Sequence, residues 1–174
     1  MSLLASEPVD LLKEILRQVT ALLPAPLKTP SDQTAAAIKN LLTQAMFNFR
    51  FLFEQGRLPL EASEYRLSLR VRPALKRLCS TKSPSAEDYD FNTDVAGHQC
   101  AQRLLANQFV HLDYFGLMLN WATNDIHVLV TSRKERQRLF EAPLSQVLAL
   151  LQLATVGQPG GPESVDIFER VTAP

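Results

Sequence analysis

A chain of 174 residues with 18 Lys and Arg against 18 Asp and Glu has the length of one domain and a formal charge of zero. Global attraction to nucleic acid, to an anionic membrane or to an acidic target is thereby excluded, and only local patches can supply it. The hydrophobic share of 46% suffices for a core, and Cys79 and Cys100 lack the spacing of a disulfide or zinc framework, which fits a reducing compartment.

The N-terminal residues lack a basic start and a long apolar run, so no secretory leader is expected. No apolar stretch approaches the ~20 residues of a membrane helix. A cytoplasmic protein with no membrane partner is the expectation.

Ser6 can cap a first helix that reaches about Leu23, with Pro8 near its start. Leu12, Ile15, Leu16, Val19, Leu22 and Leu23 form its apolar stripe, and Asp10, Lys13, Glu14, Arg17 and Gln18 lie opposite. Pro24 and Pro26 end it, and the short connection favours an antiparallel partner.

That partner is residues 29–56, the stretch around which the chain is organised. Thr29 is the expected N-cap, Pro30 the first helical residue, Asp32 a first-turn acid and Gly56 the stop. Ile38, Leu41, Leu42, Ala45, Met46, Phe49, Leu52 and Phe53 make one broad stripe. Phe47 and Phe51 leave it: at about 100° per residue they point the other way, one turn apart. Either this half is a central helix wrapped by its own chain, the more usual reason for an all-round apolar helix, or Phe47 and Phe51 meet another protein. Phe47, Phe49, Phe51 and Phe53 also alternate as a strand would, but the helical period upstream and the Ala-rich start oppose that.

Residues 57–79 are ambiguous. Leu60, Leu67, Val71, Ala74, Leu75 and Leu78 fit a helix, whereas Tyr65, Leu67, Leu69 and Val71 alternate like a strand. The helical fit is slightly better, with a break at Pro73 and a short helix over 73–79. Residues 80–92 are turn-rich and polar. Asn92 or Thr93 then caps a third long helix, with Asp94 in its first turn. Ala101, Leu104, Leu105, Leu112, Phe115 and Leu119 form its stripe to about Trp121, and Gly97 and Gly116 weaken it.

Asn124 and Asp125 signal a turn, and residues 126–131 are β-branched enough for a strand. Ser132 caps a charged helix over 132–142, and Pro143 restarts a more apolar one through Val147, Leu148, Leu150, Leu151 and Ala154. The glycines and prolines that follow break the chain before a tail, 164–171, readable as a strand or an attached peptide. The expected fold is mainly α, a bundle of about five helices around a long central one, with at most a small two- or three-stranded sheet. Pairing of 65–71, 126–131 and 165–171 would make the class α+β instead. One helical domain, 1–156, precedes a break and tail, 157–174.

Chemistry is thin. Asp94 and His98 share a helical face, but Cys100, His111 and Asp113 do not converge on it as a tetrahedral metal site requires. No Gly-x-Ser-x-Gly elbow or phosphate loop is present. Asp125, His127 and Ser132 are near in sequence, which is poor evidence for a triad. Asp88, Asp90 and Asp94 lack the glycine and terminal glutamate of a calcium loop. No metal or cofactor is expected.

Charge is unevenly spread. Arg57, Arg66, Arg70, Arg72, Lys76, Arg77 and Lys82 outnumber Glu61 and Glu64, an acidic loop follows at Glu87, Asp88 and Asp90, and Arg133, Lys134, Arg136 and Arg138 form a second basic group. On a helix Arg66 and Arg70 share a face, and together with Arg72, Lys76 and Arg77 they form a candidate stripe for phosphates. The expected function is a non-catalytic adaptor or subunit of an assembly, acting by protein contact or self-association, with Phe47 and Phe51 as anchors. The alternative is a subunit of a ribonucleoprotein or DNA complex that grips the backbone through the arginines. A small enzyme or metal-binding protein is the lesser alternative.

Overall fold

The computed structural model describes residues 8–25, 27–79, 81–92 and 102–156. In chain order its elements are α1 (Pro8–Leu22), α2 (Asp32–Glu54), α3 (Leu60–Glu64), β1 (Arg70–Pro73), α4 (Gln102–Val110), β2 (Leu112–Asn120), β3 (Asp125–Ser132), β4 (Arg138–Pro143) and α5 (Leu144–Thr155). The strands form one antiparallel sheet in the order β1-β4-β3-β2. The class is therefore α+β, and the mainly α bundle is overturned.

Alternation sorts the sheet's side chains. Val71, Phe140, Ala142, Ile126, Val128, Val130 and Leu119 face inward and join Leu12, Ile38, Met46, Phe49, Leu105, Phe109, Val147 and Leu151 from the helices in one core. On the outer face Leu129 and Leu139 pack with Tyr89, flanked by Leu78, Phe91, Tyr114 and Met118. Residues 74–79 and 81–91 thus lie over that face, tied by Ala74 N to Gln137 O (2.9 Å), Leu75 N to Asp88 O (2.8 Å) and Asp90 N to Pro73 O (2.8 Å).

Ser31, not Thr29, caps α2: its Oγ accepts from Thr34 N at 3.2 Å. The helix ends before Gly56, whose φ of 64° favours a residue without Cβ. It is not a wrapped central helix. It packs on α1, α4, α5 and β2 from one side and leaves the other to solvent.

Three expected helices are corrected. The long third helix stops at Val110, and residues 112–120 become β2, paired with β3 along its whole length. Its stripe at Leu112, Phe115 and Leu119 also fits alternation through Leu117, and a helix there would leave the edge of β3 away from β4 unpaired. The charged helix over 132–142 is a short turn, Arg133–Glu135, and then β4, which is covered on both faces because Leu139 fills the outer core and Phe140 the inner. The short helix over 73–79 is absent, because β1 runs through Pro73 and the chain then turns over the sheet. Upstream, helix covers only Leu60–Glu64. The β2–β3 hairpin turns through Asn124 at φ 51°, a conformation asparagine tolerates, with Asn120 Oδ1 accepting from Ala122 N at 3.0 Å. The expectations for Ser6, Thr93, Asp94, Gly97, His98, Cys100 and residues 157–174 lie outside the described residues.

Candidate functional site

The Ser31 cap fixes where α2 begins, and Ile38, Leu42, Ala45, Met46, Phe49 and Leu52 fix which face is buried. Phe47 and Phe51 then emerge on the opposite face, 47% and 46% exposed. Along that face Gln33, Ala36, Asn40 and Gln44 are also exposed and uncharged, while the exposed charges Asp32 and Lys39 lie to one side of it. The nearest ion pair, Arg50 Nε to Glu54 Oε1 at 3.1 Å, is internally neutralised. A solvated helix face ordinarily carries charges, whereas depletion of charge around exposed aromatics is the composition of an interface core. Phe53, expected in the buried stripe, sits at its border, 39% exposed, with the Arg103 guanidinium 5.7 Å from its ring centre.

The five basic candidates do not make a stripe. Arg66 and Arg70 lie on extended chain, where helical spacing no longer aligns them. Arg72 is buried: its Nε donates to Glu141 Oε1 at 2.9 Å, its Nη1 to Phe91 O at 3.4 Å, and its guanidinium lies 5.4 Å from the Phe91 ring centre. His127 Nδ1 meets the other Glu141 oxygen at 2.5 Å. Burial pushes the Glu141 carboxyl up, but the hydrogen bonds and charges of His127 and Arg72 outweigh it and hold the group below the ordinary carboxylate range. Arg72 thus serves the sheet rather than a ligand.

Lys76 and Arg77 are exposed beyond β1, and here the fold joins what the sequence separates. Pairing of β1 with β4 sets residues 77–79 beside the turn before β4. Between them is a cleft of about 710 Å³ lined by Arg77, Leu78, Cys79, Arg133, Lys134, Arg136 and Gln137. Gln137 clasps the opposite segment, Oε1 accepting from Leu78 N at 3.1 Å and Nε2 donating to Leu78 O at 3.3 Å. Arg136 donates to Cys79 O at 2.7 Å and pairs with Asp113 at 2.8 Å. The two basic groups were visible in the sequence, but their meeting was not.

The remaining polar candidates stay apart. His127 and Ser132 occupy β3 five residues from one another, roughly 16 Å at a rise of ~3.3 Å per residue. Asp125 instead accepts from Ser145 Oγ at 2.5 Å, and the depression of about 460 Å³ that Asp125 and His127 line does not include Ser132. Asp113 is spent on Arg136, and among the described residues no group of three or more His, Cys, Asp and Glu could hold a metal. No described helix is long and apolar enough to cross a membrane. In comparisons with known proteins, no family model, no curated protein and no solved structure matches the chain.

Proposed function

We propose that this protein is a non-catalytic subunit or adaptor that works by protein–protein contact, with the outer face of α2 as its docking surface. One observation carries the reading: Phe47 and Phe51 stand half-exposed, one turn apart, beside the uncharged Gln44 and Asn48 and an Arg50–Glu54 pair that neutralises itself. Two phenylalanines in that setting gain by leaving water, and the charges beside them, Arg50 and Glu54, already carry each other as counter-ions. The occupant that fits is an apolar helix of another protein laid along α2, its side chains filling the space between the rings, as in helix-in-groove recognition. A second copy of this chain meets the same chemistry, since the face is electrically neutral.

The test pairs a fold measurement with an association measurement. Phe47→Ala/Phe51→Ala keeps the circular dichroism and thermal midpoint of the parent, while cross-linking from a photoreactive residue at Gln44 to the partner, or to a second copy, is abolished. Unfolding of the double variant, or cross-linking that persists in it, refutes the reading.

A further inference from the structure

The cleft between residues 77–79 and 133–137 has no part in the α2 surface. Arg77 lines one side, and Arg133 and Lys134 the other. All three are exposed, no carboxylate lines the cleft, and among the described residues none of the three enters a salt bridge. Three other cations nearby are engaged: Arg136 on Asp113, Arg138 on Glu135 and Lys82 on Asp88. In a chain with no net charge, three cations without counter-ions around one concavity repel each other until an anion enters.

We propose that this cleft binds a compact polyphosphate, a small molecule with several phosphates close together. Three observations select that chemistry. The walls offer guanidinium forks and an ammonium group, the donors that suit phosphate oxygens. The space, about 710 Å³, has the size of a small-ligand pocket and exceeds what a lone phosphate fills. No aromatic side chain lines it, so nucleobases have no stacking platform. The positive charge is also local: Arg72 is sequestered by Glu141, which interrupts the track toward Arg70 that a polynucleotide backbone would follow. The clasp of Gln137 on Leu78 and the bond from Arg136 to Cys79 O hold the two walls at a fixed separation, so little order need be gained on binding.

Inorganic tripolyphosphate, titrated calorimetrically into the full chain at low ionic strength, is the probe. We expect one site per chain, weakened steeply by added salt. Arg133→Ala/Lys134→Ala on one wall and Arg77→Gln on the other each lower the affinity by roughly tenfold or more, the scale of a lost charge-assisted bond. Lys39→Ala on α2 leaves it unchanged. The backbone bond from Arg133 N to His111 O (2.9 Å) survives a side-chain change, and none of the three side chains enters a salt bridge among the described residues, so both variants should keep the parent's circular dichroism. Absence of binding at low salt, or the parent's affinity retained in either cleft variant, overturns the proposal. So does tighter binding of single-stranded oligonucleotides that grows with their length, which would make the cleft part of a nucleic-acid track.

Discussion

Arg72 on β1 and Glu141 on β4 form an ion pair 2.9 Å long with side chains only 9% and 3% exposed. Both face the side of the sheet away from the helices, and His127 on β3 holds the second carboxylate oxygen, so one acid ties three strands together. Such a pair costs much desolvation and is repaid only while every partner is in place.

Removal of one partner should therefore be severe. Glu141→Ala leaves the Arg72 guanidinium buried without its counter-ion and should cost about 3–5 kcal/mol in urea denaturation. Arg72→Met/Glu141→Leu should recover most of that loss, because it removes the charges together. A cost below about 1 kcal/mol for Glu141→Ala would show that water reaches the site freely.

Acid should act through the same group. The folded chain holds the Glu141 carboxyl below its ordinary 4.5, so the fold favours the ionised form. Its contribution is complete above 4.5 and is lost as pH falls below that value through the lower folded one. Urea midpoints measured from neutral pH down to about pH 3 should fall more steeply for the parent than for Glu141→Gln. Parallel curves would mean that other carboxylates govern acid unfolding.

Phe47 and Phe49 lie two residues apart on α2, with exposures of 47% and 1%. Phe49→Ala should cost about 3–5 kcal/mol, since it opens a cavity where helices and sheet meet. Phe47→Ala should stay within about 0.5 kcal/mol. Equal costs would place Phe47 in the core and remove the α2 surface with it.

The contrast between those two residues was legible from helical angle alone, because α2 is long and its buried stripe is wide. The same holds for α1 and α5, and β3 was legible from its β-branched run. What failed was local evidence for elements that distant pairing decides. Residues 112–119 satisfy both a helical and an alternating pattern, and the long edge of β3 selects the second. In β4, Leu139 and Phe140 are adjacent and both buried, which no one-faced pattern anticipates. The basic cleft and the Arg72–Glu141–His127 cluster were hidden for the same reason: each exists only after β1 has found β4.

Tyr114 turns its ring back over Gly116 on the outer face of β2, so a Cβ at Gly116 would strike the phenol oxygen and lie 3.0 Å from Cζ. Gly116→Ala should destabilise by about 1–3 kcal/mol through overpacking, although alanine suits a strand no worse than glycine. Adding Tyr114→Ala should relieve the clash, giving a coupling energy in the double-mutant cycle. Strict additivity would show that the ring moves aside at no cost.

Burial pushes the Tyr89 phenol up to about 12 from 10.0, and the hydroxyl donates to Arg136 O at 2.6 Å. The fold thus favours the neutral phenol, with full benefit below 10.0 that is lost as pH rises toward about 12. Tyr89→Phe should cost about 1 kcal/mol at neutral pH and remove the most alkaline step from the tyrosinate absorbance titration. An unchanged titration curve would refute the burial argument.

The order β1-β4-β3-β2, with α1 lying on α5, sets a timetable for biosynthesis. When Pro73 leaves the ribosome, Leu12, Ile38, Met46 and Phe49 already exist, but the strand and helix that cover them are still some ~80 residues from translation, roughly 4–16 s at ~5–20 residues per second. For that interval the nascent chain carries a naked greasy surface and is natural prey for holding chaperones. Messages truncated before Thr155 should yield clients for degradation rather than half-domains.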